Sequence, residues 1–279
     1  MSKKMIIIAT SLVLIGTIIF VGVMTMFKWD FKKLTTDKYV TNEYEITDSF
    51  KNISVKTVTA DIIFLPSFDN DTKVICRERI NVKHTVEVKE DTLNISVVDN
   101  RKWYEHISIN FETPKITVYI PNGEYYDLFI KDTTGDVTVP DGFTFANADI
   151  SVTTGDISFE SFVSGALKCN TTTGDIDLRG IRCETLTTTC TTGDTEMNDV
   201  IAISKMTVKS TTGDIEFEAC DAGDILIKVT TGDIEGSLLT DKIFEAKATT
   251  GKVDVPKSRN GGFCRVSATT GSIKIDIKQ

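Results

Sequence analysis

Asp175 and Asp177, Asp194 and Glu196, Asp214 and Glu216, and Asp233 and Glu235 form four carboxylate pairs, each pair spaced by one residue and set 19 or 20 residues from the next. Paired carboxylates can flank a glycosidic bond or supply the hard oxygen ligands that calcium takes. Hydrolysis needs one site with convergent, non-repeating residues, whereas carboxylates at a fixed interval describe a surface. Stacked closely, they repel one another. A divalent ion bridging neighbours would relieve that repulsion, so these eight residues are the candidate calcium ligands, although the Gly-Gly-x-Gly-x-Asp nonapeptide of calcium-binding β-rolls is absent. The same ribbon would attract a basic protein, a cationic envelope component or another surface ligand. With a formal net charge of −9, nucleic acid is disfavoured, because an acidic rod repels phosphates.

Other chemistry is sparse. His84 and His106 are the only histidines, and lone histidines in strands are mostly structural. There is no Gly-x-Ser-x-Gly elbow, phosphate loop or His-Glu-x-x-His. The six cysteines, Cys76, Cys169, Cys183, Cys190, Cys220 and Cys264, show no CxxC or His-Cys cluster of zinc spacing. They read as packing residues, since a buried thiol behaves as a small hydrophobe. Cys169 and Cys190 fall one repeat apart but two residues out of column. That places their α-carbons roughly 8 Å apart, beyond disulfide reach of about 7 Å. Neither a catalytic residue nor a cofactor site is expected.

The carboxylates are positioned by Thr-Thr-Gly, which occurs eight times, at Gly135, Gly155, Gly174, Gly193, Gly213, Gly232, Gly251 and Gly271. Asp follows the first six, and Lys252 and Ser272 the last two. Apolar or small residues recur at seven, five and three places before each Gly and at two and four after it, as in Ala148, Ile150, Val152, Ile157 and Phe159. A spacing of two on each side of a turn is strand periodicity. A fixed interval of this length marks a stacked repeat. The fold expected over 128–279 is therefore a single-stranded parallel β-solenoid with 19–20-residue coils, its equivalent residues lining up roughly 4.8 Å apart. Gly suits the bend because it reaches positive φ, and the Asp after it can bond the turn backbone. Four places before Gly, a more basic column reads Lys131, Ser151, Asn170, Thr189, Lys209, Lys228, Lys247, Ser267.

Upstream, residues 45–127 read as less regular strands that begin and cap the solenoid, with Thr59-Ala60-Asp61 as a degenerate corner. At the other end, Lys274, Asp276 and Lys278 would guard a terminal strand against pairing with other chains. Met5 to Phe27 is uncharged and long enough for one transmembrane helix. Residues 1–4 precede it as a cytoplasmic tip, and 28–44 follow as a stalk. Phe27, Trp29 and Phe31 would form an aromatic anchor at the interface. The exit Met24-Thr25-Met26-Phe27 is poor for signal-peptide cleavage.

An anchor, an irregular strand region with Thr-Ala-Asp-Ile and serial Thr-Thr-Gly-Asp-Ile coils (153–157, 172–176, 211–215 and 230–234) together resemble the bacterial putative-adhesin family of β-strand-repeat domains, a family of unknown function. The resemblance spans about 45–279. It implies a cell-surface role, and some relatives look like envelope-stress accessories; it carries over no catalytic residues. The function expected is non-enzymatic binding or scaffolding at the cell membrane, by a single-pass protein with an extracytoplasmic C-terminal domain. Rival readings are an envelope-stress accessory acting through a membrane partner, a polysaccharide-active β-helix enzyme, and ice binding through threonine columns.

Overall fold

Every Thr-Thr-Gly corner is held by its neighbour. The corner glycines have φ between 127° and 146°, where a β-carbon is strained. A methyl at any of them would also sit 1.9–2.2 Å from the carbonyl oxygen of the adjacent corner. Glycine is thus required by the stacking distance as well as by the bend. Amide to carbonyl bonds run between corners, as from Gly155 to Thr173 and Gly174 to Thr192, each at 2.8–2.9 Å. The chain is described here by a computed structural model covering residues 3–26, 28–29, 38–99 and 112–278. Strands make up 67% of it and helix 8%, and the corners form a β-solenoid of about eight turns behind one N-terminal apolar helix.

The register follows the predicted columns. Val137, Ile157, Ile176, Thr195, Ile215 and Ile234 stack in order after the corner. Leu128, Ala148, Leu167, Leu186, Met206 and Ile225 stack before it. These side chains are buried, so the core is a column closed by backbone pairing on both flanks. At its wider end, Tyr125, Phe145 and Phe159 follow one another with ring centroids 5.9–6.3 Å apart. Such aromatic pairs add packing energy beyond area burial.

Stacking order departs from chain order at the far end. Ile234 pairs with Ile273, and Ile273 in turn pairs with Val253. Likewise Ile225 pairs with Cys264, which pairs with Phe244. The Gly271 coil therefore lies between the Gly232 and Gly251 coils, and the Gly251 coil ends the rod. This corrects the expectation that successive corners sit in chain order, and that Lys274, Asp276 and Lys278 guard the terminal strand. Asp221 and Lys242 form a buried ion pair at 2.5 Å that joins the coils on either side of the inserted one. Lys242 also donates to Thr240 Oγ1.

At the other end the strands are β1 (Tyr39–Ile46), β2 (Asn52–Lys56), β3 (Asp61–Pro66), β4 (Thr72–Arg79), β5 (Val82–Lys89), β6 (Thr92–Asp99), β7 (Lys115–Ile120), β8 (Gly123–Thr134) and β9 (Val137–Val139). β2 and β3 flank Ala60 and pair in parallel with β8 and β9 of the Gly135 coil. Asp136 N–H donates to Asp61 Oδ1, as in the regular corners. On their other side β2 and β3 pair in parallel with β6 and β7. Pairing then turns antiparallel, β6 with β5 and β7 with β4, and β4 with β1. β1 starts at Tyr39, within the stretch read as a stalk. His106, Phe27 and Phe31 lie outside the described residues.

Helix α1 (Lys3–Met26) is long and apolar enough to cross a membrane. Thr10 and Thr17 donate their hydroxyls to the carbonyls of Ile6 and Val13 one turn earlier. Bonds of this kind satisfy polar side chains inside an apolar segment.

Candidate functional site

The carboxylate ribbon consists of two columns with different duties. In the inner column, each Asp after a corner glycine accepts the backbone N–H of the equivalent residue one coil on. The chain of bonds runs Asp61, Asp136, Asp156, Asp175, Asp194, Asp214, Asp233 and Ser272, each amide 2.6–3.2 Å from the carboxylate before it. Ser272 Oγ lies 3.4 Å from the Lys252 amide and closes the series. One oxygen of each Asp thus belongs to the backbone of the next corner. A peptide N–H bonded to a carboxylate is a charge-assisted bond, and each partly offsets the repulsion within the column.

The outer column reads Asp177, Glu196, Glu216, Glu235, Lys274 and Asp254. Its ends are neutralised: Arg179 sits 2.7 Å from Asp177, and Lys274 bonds Glu235 at 2.5 Å. In the middle, Arg179 approaches Glu196 only to 3.9 Å. Glu216 has no ion-pair partner among the described residues. Asp175, Asp177, Asp194, Glu196 and Glu216 surround a groove of about 440 Å³ on this face. Asp233 and Glu235 lie beside Ser272 and Lys274, so the ribbon ends one coil earlier than chain order implies.

Both threonines of each corner are exposed. Their second members stack as Thr134, Thr154, Thr173, Thr192, Thr212, Thr231, Thr270 and Thr250. The basic column four places before Gly is similarly reordered, with Ser267 between Lys228 and Lys247.

A second concavity, unseen in the sequence, lies between the β1–β2 and β3–β4 connections. It measures about 840 Å³ and is walled by Phe68, Tyr119, Tyr125, Asp48, Asp71 and Lys73. Phe68 is wholly exposed. The signal for it was slight: an aromatic followed by Asp69-Asn70-Asp71 reads as any polar turn.

All six cysteines are buried and unpaired with one another. Burial pushes the thiols of Cys76, Cys183, Cys220 and Cys264 up to about 12 and that of Cys190 up to about 11. Such thiols are inert as nucleophiles.

The model of the family described as Toastrack DUF4097 matches residues 50–279. A search of curated proteins finds no match. Among solved structures, the chain is similar to a putative adhesin from Bacteroides fragilis, with 21% identity and a TM-score of 0.49 over 86% of this chain and 97% of that one. It is also similar to a putative lipid binding protein from Parabacteroides distasonis (17% identity, TM-score 0.46, 88% and 98% covered). A putative adhesin from Parabacteroides merdae gives 12% identity and a TM-score of 0.43, with 88% and 98% covered.

Proposed function

Because the chain belongs to the Toastrack DUF4097 family, we propose that it is a non-enzymatic binding rod of the cell envelope, held in the membrane by α1 with its solenoid extracytoplasmic. The observation that carries the binding face is the middle of the outer column. Glu196 and Glu216 are exposed, have no cation nearer than Arg179 at 3.9 Å from Glu196 among the described residues, and border a groove already lined by four aspartates. Extended solenoid faces serve as binding surfaces, and this one fits a cationic partner such as a basic protein segment. Asp194 and Asp214 are poorer targets for a test, since reversing them breaks the corner ladder.

The full chain in detergent, with Glu196→Lys and Glu216→Lys introduced together, should bind a lysine-rich peptide at least tenfold more weakly at low salt than the parent. Equal binding would reject this face. Protease shaving of intact cells should remove a C-terminal tag; a protected tag would reject the orientation.

A further inference from the structure

Cys76, Glu78 and His84 come together inside the antiparallel end of the rod. Cys76 and Glu78 alternate on β4 and so point to the same side. His84 stands on β5, the next strand, after a tight reversal at Ile80 and Asn81. Their ligating atoms all lie within 4.8 Å of one another. The three are 0%, 1% and 4% exposed.

We propose that these three side chains form a binding site for a divalent first-row transition ion, zinc being the natural occupant. The donor set is one sulfur, one imidazole nitrogen and one carboxylate oxygen, a mixture that suits zinc and not calcium or magnesium. The supporting shell is in place. His84 Nδ1 faces Glu78 Oε2 at 2.7 Å, while Nε2 lies 2.8 Å from Thr57 Oγ1. Metal-bound histidines commonly donate their other ring N–H to an oxygen acceptor, which fixes the tautomer. Here Thr57 supplies that acceptor. The free oxygen of Glu78, Oε1, accepts from Asn42 Nδ2 at 2.6 Å. The backbone is tied as well: His84 N–H donates to Glu78 Oε2, and Tyr44 O–H donates to the His84 carbonyl at 2.9 Å.

Charge favours the ion. A glutamate this deep needs a compensating positive charge, which a bound divalent ion supplies. Against zinc, a thiolate, a carboxylate and a neutral imidazole balance two positive charges. Binding displaces the thiol proton of Cys76 and leaves the fourth position to water. Residues 76–84 form part of the hairpin at the end of the core nearest α1 in the chain, so the ion would pin β4 to β5.

The test uses the full chain in detergent, stripped with a chelator and titrated with zinc alone. One zinc should be retained per chain through gel filtration. Cobalt in its place should show a thiolate-to-metal charge-transfer band that Cys76→Ser abolishes. Thr57→Val keeps all three ligands and removes only the acceptor facing His84 Nε2, and should weaken zinc binding about tenfold. Failure to retain zinc, a cobalt spectrum without the thiolate band, or a Thr57→Val variant with parental affinity would overturn the site. Should Cys76→Ser not fold, zinc retention by the parent and the Thr57→Val affinity decide the matter.

Discussion

At the scale of single residues, position in the corner decides what a side chain is worth. Gly174→Ala places a methyl 2.2 Å from the Gly155 carbonyl at a φ of 132°. It should cost about 3 kcal/mol or more, since strain and overpacking act together. Asp194→Ala removes the acceptor of the Asp214 N–H and should cost about 1–2 kcal/mol. Glu196→Ala, two residues on and solvated, should stay within about 0.5 kcal/mol. Denaturant titration of the three variants separates these cases. Asp132 behaves differently from both columns. It is 2% exposed, with Oδ2 unpaired. Burial raises its carboxyl from 3.8 to about 7, against backbone bonds that lower it. Below about pH 3 the group is largely neutral folded and unfolded alike. As pH rises toward 7 the unfolded chain ionises first, so folding stability falls, by up to about 4 kcal/mol. Asp132→Asn should therefore melt higher than the parent at pH 8 and alongside it at about pH 3.

At the scale of elements, the coil was legible and its neighbours were not. The two-residue spacing on either side of Thr-Thr-Gly gives each strand and its inward face directly, because a solenoid coil is specified locally. The exchange of the last two coils involves nonlocal pairing between columns of similar residues, and periodicity is blind to it. One clue was present. Each corner must offer an oxygen to the next amide, and Lys252 has none to offer. A Lys coil can only end the ladder, whereas Ser272 can still pass a bond on, as it does toward Lys252. The Cys76, Glu78 and His84 cluster escaped for another reason: its C-x-E-x₅-H spacing becomes a cluster only when β4 and β5 fold against each other. The ladder also bears on calcium. Because the amides already offset the inner carboxylates, millimolar calcium should leave the melting temperature unchanged; a clear rise would mean that the outer column binds the ion. Within the exchanged end, Lys242→Ala leaves Asp221 buried without its cation and should cost about 3–5 kcal/mol. Combining Asp221→Leu with Lys242→Met should restore most of that loss.

At the scale of the whole molecule, the rod has two unlike ends. One is shut by antiparallel strands and lies nearest α1 in the chain; the other ends in the Gly251 coil, with the Gly271 coil inserted behind it. In a simple solenoid, losing the last coil trims the rod and exposes one fresh edge. Here, ending the chain after Asn260 would remove the coil between Gly232 and Gly251, leaving the Gly251 coil without its stacking partner and the Gly232 coil with one face open. Such a truncation should lower the melting temperature far more than one coil's share and broaden the transition, as calorimetry would show.

That insertion also constrains how the protein is made. A chain folding from its N-terminal cap can zip up rung by rung only as far as Gly232. The segment around Gly251 must then wait, unpaired, until residues 262–277 slide in beside Gly232. Closure of the tip therefore hangs on a segment later in the chain than the one it holds, and a product lacking it carries an open strand edge.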